Sequence, residues 1–312
     1  MQEDKLAIFF SFIKLLTTLL VGFFLSNFLA FIVVLPFVNF DLGLINLLLL
    51  HPKDYPELRT ALMILQGITA LGIFVLTPLF YIKFVDKSLS LSYLFKERAF
   101  YYFPLFFLTI LLTIIEMPIV SWIGKWNEGL DFPAFMDEFE TWAKVQEDKL
   151  RDLTLFLTEF HSFGDFLLGL VVIAILPGIG EELLFRGILQ NKLKDWLGNI
   201  HVAVWVGAII FSAFHFQFYG FVPRMLLGAI FGYLYVWSGS LWYPILAHFT
   251  NNGFTVLMMY LYQHRKVELN IDTQEIPMDL AMLSLVISIT LVFLFYKISK
   301  DQSAIKGEKT IE

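Results

Sequence analysis

The chain holds more apolar sequence than a water-facing core can hide. A helix crosses a bilayer with about 20 predominantly apolar residues, and windows of that character fall at 15–38, 61–82, 103–123, 166–179, 202–218, 221–238, 241–262 and 280–296. Of the 312 residues 58% are hydrophobic and only 16% charged, against about 25% charged in an ordinary soluble domain. The expected fold is all-α, a polytopic transmembrane helical bundle of about eight spans, with an amphipathic helical segment between spans three and four.

The fourth window is short, but a helix can continue from it as far as Trp196, with a break or bend expected at Pro177. The first window follows an acidic N-terminus and is long, so it reads as a retained span rather than a cleaved leader. Lys and Arg number 13 in the N-terminus, 83–102, 180–200 and the C-terminal tail, against 8 in the opposite loops. That bias sets both termini on the cytoplasmic side. The organisation expected is N-terminal spans and an acidic segment over 1–164, a chemistry-bearing core over 165–262, and a last span with a cytoplasmic tail over 263–312.

The longest stretch outside the spans, 124–165, places Phe135, Phe139, Trp142, Leu150, Leu153, Leu157 and Phe160 at helical spacing beside Asp137, Glu138, Glu140, Glu147, Asp148 and Asp152. It reads as an amphipathic helix on the membrane surface or across the bundle mouth, or as a lid. A net charge of -6 supplies no basic surface for nucleic acid, and with no cysteine the chain has no thiolate ligand or nucleophile.

Ionisable groups within spans cost about 2.5 to 3.5 kcal/mol each on insertion scales, so each needs a reason to be there. They concentrate in one region. Pro177-Gly-Ile-Gly-Glu181-Glu182-Leu-Leu-Phe-Arg186 sets two carboxylates and a guanidinium at an expected membrane boundary, with Glu182 and Arg186 spaced for a helical ion pair. Phe211 and His215 share a face of the fifth window, and His248 and Asn252 a face of the seventh. Two histidines, an amide and a carboxylate offer a general base, donors for an oxyanion, or metal ligands.

Glu-Glu-x-x-x-Arg at 181–186, Phe-x-x-x-His at 211–215 and His-x-x-x-Asn at 248–252 resemble, in order, the three motifs of the CPBP intramembrane proteases, the group that includes the CAAX-prenyl endopeptidases. The resemblance covers about 165–262. It implies an integral membrane endopeptidase of the bacterial cytoplasmic membrane that acts on a membrane-associated protein or peptide. In that scheme Glu181 and His215 hold and activate a water, His248 and Asn252 stabilise the oxyanion, and Glu182, Arg186 and Phe211 support them. The site is expected to open to the cytoplasmic side. No cofactor is expected on this scheme, because Asn252 is an unusual zinc ligand and the chain has no His-Glu-x-x-His. The alternative is a metalloprotease with Zn2+ on Glu181, His215 and His248.

Two readings from other classes stand beside it: a non-catalytic scaffold or bacteriocin-immunity protein of the same fold, and a transporter using buried Glu and His as a relay. Absent inverted repeats weigh against the second. Glu116 is expected to reach the interface and Arg224 to snorkel toward headgroups. His51, His161, His201 and His264 receive no role.

Overall fold

The computed structural model describes residues 2–95, 103–268 and 275–305. The lysines and arginine at 96–102 and 306–312 that enter the charge count lie outside them. Among the described residues the chain is helical with no strand. The principal helices are α1 (Gln2–Val34), α2 (Leu42–Leu50), α3 (Pro56–Val85), α4 (Phe103–Glu128), α5 (Asp137–Leu157), α6 (Phe163–Leu197), α7 (Ile200–Ala213), α8 (Phe221–Ser238), α9 (Trp242–Gln263) and α10 (Met278–Ile305).

Six of the eight expected spans are helices long and apolar enough to cross a membrane: Lys5–Val38, Pro56–Val85, Phe103–Glu128, Phe163–Leu197, Phe218–Ser238 and Met278–Asp301. Of the other two, α7 is a shorter apolar helix that stops at Ala213. The apolar run continues through Phe214, Phe216 and Phe218, but the chain turns at Phe216, whose φ is 53°. α9 has the length for a span but carries His248, Thr250, Asn251 and Asn252 along it. The fourth span does continue unbroken, so Glu181 and Glu182 stand midway along a helix of 35 residues rather than at its end.

Contacts divide the chain into two compact units. The first comprises Met1–Ser88, Arg151–Leu184 and Asn252–Asp272, and the second Leu89–Leu150, Phe185–Asn251 and Thr273–Glu312. In the first unit α1 and α3 approach through small residues placed reciprocally. A Cβ on Gly22 would lie 2.1 Å from Thr77 Oγ1, and one on Gly72 would lie 2.0 Å from Ser26 Oγ. Each hydroxyl bonds a glycine carbonyl of its own helix, Ser26 to Gly22 at 2.6 Å and Thr77 to Gly72 at 2.8 Å. Lipid gives helices no hydrophobic reason to associate, so close backbone packing of this kind supplies much of the attraction. The C-terminal end of α5 is pinned in the same unit: buried Arg59 donates to the Leu157 carbonyl at 2.8 Å and pairs with Asp165 at 2.6 Å.

The second unit packs Leu105 and Leu112 of α4, Leu227, Phe231 and Leu234 of α8, Tyr243 and Ala247 of α9, and Leu291 and Phe295 of α10 into one cluster. Pro118 interrupts the hydrogen-bond ladder of α4. Beside it, Ser284 Oγ accepts from the Ile119 N–H at 3.3 Å and donates to the Ile115 carbonyl, the two groups that an undisturbed helix would join to each other. Glu116 does not reach an interface. It is 1% exposed, and neither carboxylate oxygen has a hydrogen-bond partner among the described residues.

α5 is a helix, as its spacing predicts. Asp137, Glu138 and Glu140 occupy its first turn, where the exposed N–H groups favour negative charge. The Lys144 hydrogen bond holds the Glu140 carboxyl below the usual carboxylate range. α6 ends at Gly198 with a φ of 68°, and Asn199 at once caps α7 by accepting the N–H groups of His201 and Val202.

The Gly22 contact is testable. Gly22→Val should lower thermal stability in detergent by about 1 to 3 kcal/mol, the usual effect of forcing methyl groups into a closed contact. Gly207→Ala, whose added carbon would meet nothing nearer than 3.9 Å, should leave it unchanged. Equal melting of the two variants would contradict the packing described.

Candidate active site

Glu181 and Glu182 stand on one α-helical stretch, Leu176–Glu182, flanked by π-helical turns at Leu170–Ile175 and Leu183–Gln190. Such turns admit an extra residue into the ladder and occur often at functional sites. Within the first unit Gly180 fixes how this stretch lies on α3, since a Cβ there would meet Phe74 Cβ at 2.6 Å and its carbonyl carbon at 2.9 Å. Only glycine allows that approach one residue before Glu181. Glu182 is fully buried and Glu181 half-buried.

Asn252 belongs to the same unit, and its amide has a defined task. Pro177 has no N–H to give to the carbonyl four residues earlier, that of Ile173. That carbonyl receives Asn252 Nδ2 instead, at 2.9 Å. The expected break at Pro177 is thus a π-helical turn in an unbroken helix, stitched by a side chain from α9.

Arg186, Phe211, His215 and His248 come together in the second unit, and Phe211 is the hub. The Arg186 guanidinium lies over its ring, 4.6 Å from the centroid, and also faces Phe231 at 5.5 Å. The His215 and His248 rings sit 5.0 and 6.1 Å from Phe211, and Phe185 packs edge-on at 5.1 Å. Arg186 Nη2 donates to the Gly228 carbonyl at 2.9 Å. Gly228 allows α8 this close, because a Cβ there would stand 3.2 Å from the Phe211 ring.

His215 lies just beyond α7 rather than on its face. Its Nδ1 is 3.0 Å from the Phe211 carbonyl, which can only accept. In the neutral ring the proton therefore resides on Nδ1 and the basic lone pair on Nε2. His248 is 5% exposed, with its ring 5.5 Å from that of Phe231. Arg224 Nη1 and Nη2 donate to the side-chain and backbone oxygens of Gln217 at 2.7 and 3.3 Å.

Residues that the spacing alone does not single out thus hold the polar ones: Gly180, Gly228 and the Ile173 carbonyl. The glycines leave a trace in the sequence, as gaps in apolar helices. The carbonyl leaves one only through Pro177.

Residues 163–254 match the family described as type II CAAX prenyl endopeptidase Rce1-like. The uncharacterized protein YpbD of Bacillus subtilis (strain 168) is 31% identical over 84 residues, 26% of this chain and 40% of that protein. The membrane-embedded CAAX protease MroQ of Staphylococcus aureus (strain USA300) is 33% identical over 95 residues, 28% of this chain and 38% of that protein. The putative membrane peptidase YdiL of Bacillus subtilis (strain 168) is 30% identical over 89 residues, 28% of this chain and 36% of that protein. The aligned part is thus about two fifths of the length of these relatives. No solved structure matches the chain.

The Pro177 stitch predicts a coupling. Asn252→Ala should destabilise the protein, and it should do so less in a Pro177→Ala background, where the helix regains its own donor. A double-mutant cycle read by thermal unfolding in detergent should return about 1 kcal/mol of coupling. Strict additivity would show that the two residues do not serve the same carbonyl.

Proposed function

We propose that the chain, whose residues 163–254 match the type II CAAX prenyl endopeptidase Rce1-like family, is an integral membrane endopeptidase hydrolysing a peptide bond of a membrane-associated protein or peptide. The observation that carries the reading is His215, whose Nδ1 is committed to the Phe211 carbonyl so that Nε2 carries the lone pair of the neutral ring.

In this reading Glu181 is the general base. It takes a proton from a water oriented by His215 Nε2, and the water oxygen attacks the substrate carbonyl carbon. Negative charge then grows on the carbonyl oxygen, where His248 and the Asn252 amide donate hydrogen bonds; such a donor is worth about 2.7 to 4 kcal/mol of barrier. Glu181 returns the proton to the leaving amine as the C–N bond breaks. Glu182 and Arg186 support these groups, and Phe211 contacts Arg186 and both imidazoles.

The turn that carries His215 is bonded to α5 through Glu147. Zinc-assisted hydrolysis would use Glu181, His215 and His248 as ligands.

Glu181→Gln and His215→Ala should each reduce cleavage of a membrane-associated peptide by about 10²-fold or more at equal protein abundance, as loss of a general base or its partner does. Exhaustive chelation should leave the wild-type rate unchanged. Retained cleavage in either variant would refute the assignment. Loss on chelation restored by zinc alone would replace the glutamate mechanism with the metal one.

A further inference from the structure

The segment 214–220 that follows α7 bears His215 and cannot hold its own shape. Phe216 has a φ of 53°, a left-handed conformation that a bulky side chain adopts only when its surroundings impose it. Partners from two helices of the same unit impose it here. From α8, Arg224 donates to both oxygens of Gln217. From α5, the Glu147 carboxylate receives Gln217 Nε2 on one oxygen at 3.1 Å and the Tyr219 N–H on the other at 3.3 Å.

The Gln217 amide is therefore a relay whose oxygen takes Arg224 and whose nitrogen gives to Glu147. Only one orientation of the amide satisfies both. Apolar contacts follow the same path: the Phe218 ring packs against Phe139 and Trp142 of α5 with centroids 5.0 and 5.7 Å apart, and Phe132 meets Tyr219 at 6.3 Å. Along α5, Phe139, Trp142 and Glu147 thus all engage this one turn.

We propose that Glu147 is a positioning residue: by accepting Gln217 Nε2–H and the Tyr219 N–H it locks the 214–220 turn, so that docking of α5 sets the aim of His215. This rests on the reading of His215 as part of the active site. α5 is then more than a cover, because its attachment governs whether the turn is competent. Glu147 itself touches no reacting atom in this account.

The test uses the full chain in lipid nanodiscs and a histidine-modifying probe, diethyl pyrocarbonate, with the His215 modification rate read by peptide mass spectrometry. His51, exposed and remote in sequence, serves as the internal standard. Glu147→Ala should raise His215 modification relative to His51 by about fivefold or more, fivefold being the equilibrium equivalent of one of the two hydrogen bonds it loses. Gln217→Ala should do the same, and the double variant no more than either. Asp148→Ala, on the next and exposed position of α5, should change nothing, and Glu147→Gln, which keeps one acceptor, should fall between wild type and Glu147→Ala.

In a cleavage assay Glu147→Ala should lower kcat at nearly constant KM. An unchanged His215 rate in folded Glu147→Ala overturns the positioning role, as does an equal rise at His51 and His201, which would report general unfolding. A specific rise at His215 in a protein whose wild type shows no Glu181-dependent cleavage overturns the proposed function while the clamp stands.

Discussion

Backbone groups inside a bilayer cannot turn to water, and the fold depends on meeting that demand wherever a helix is interrupted. At two of the prolines that open the ladder within apolar helices, Pro118 and Pro177, a polar side chain from another helix attends to the opening. Ser284 of α10 stands between the Ile115 carbonyl and the Ile119 N–H next to Pro118. Asn252 of α9 gives the Ile173 carbonyl the donor that Pro177 lacks. The same bond that repairs α6 therefore also fixes the orientation of the Asn252 amide.

The polar motifs were legible because charge and imidazole stand out in a chain so rich in apolar residues, and their cost in lipid makes accident a poor explanation. Helicity and the amphipathic character of α5 were legible for the related reason that period and composition agree. Other features left no mark. No residue type announces a π-helical turn, so the pair flanking Glu181 and Glu182 was invisible. α7 ends at Ala213 although the apolar run goes on, because hydropathy records what phenylalanines are and not the φ of Phe216. Glu116 was expected at the interface, yet it is buried; helix ends read from hydropathy say little about which polar groups the protein keeps for itself.

The second unit shows how ionisable groups are made tolerable. Arg186 is 2% exposed but meets a carbonyl and two aromatic faces, which suits a planar and weakly hydrated cation better than an ammonium. Phe211 contacts this guanidinium and both imidazole rings. His215 gains a defined tautomer from a backbone carbonyl and a defined place from a turn held by α5 and α8. Each of these supports is a packing or backbone contact, which explains why the spacing of the motifs suggests the chemistry but not its scaffolding.

The central claim is that Glu181 makes this chain a protease. Membranes from cells expressing the wild type or Glu181→Gln, matched for abundance, can be compared for protein termini by mass spectrometry. The account predicts termini present only with the wild type, arising from a protein at the membrane. Identical termini in the two membranes, with the natural host's proteins present, would contradict it and leave a binding role for the same fold.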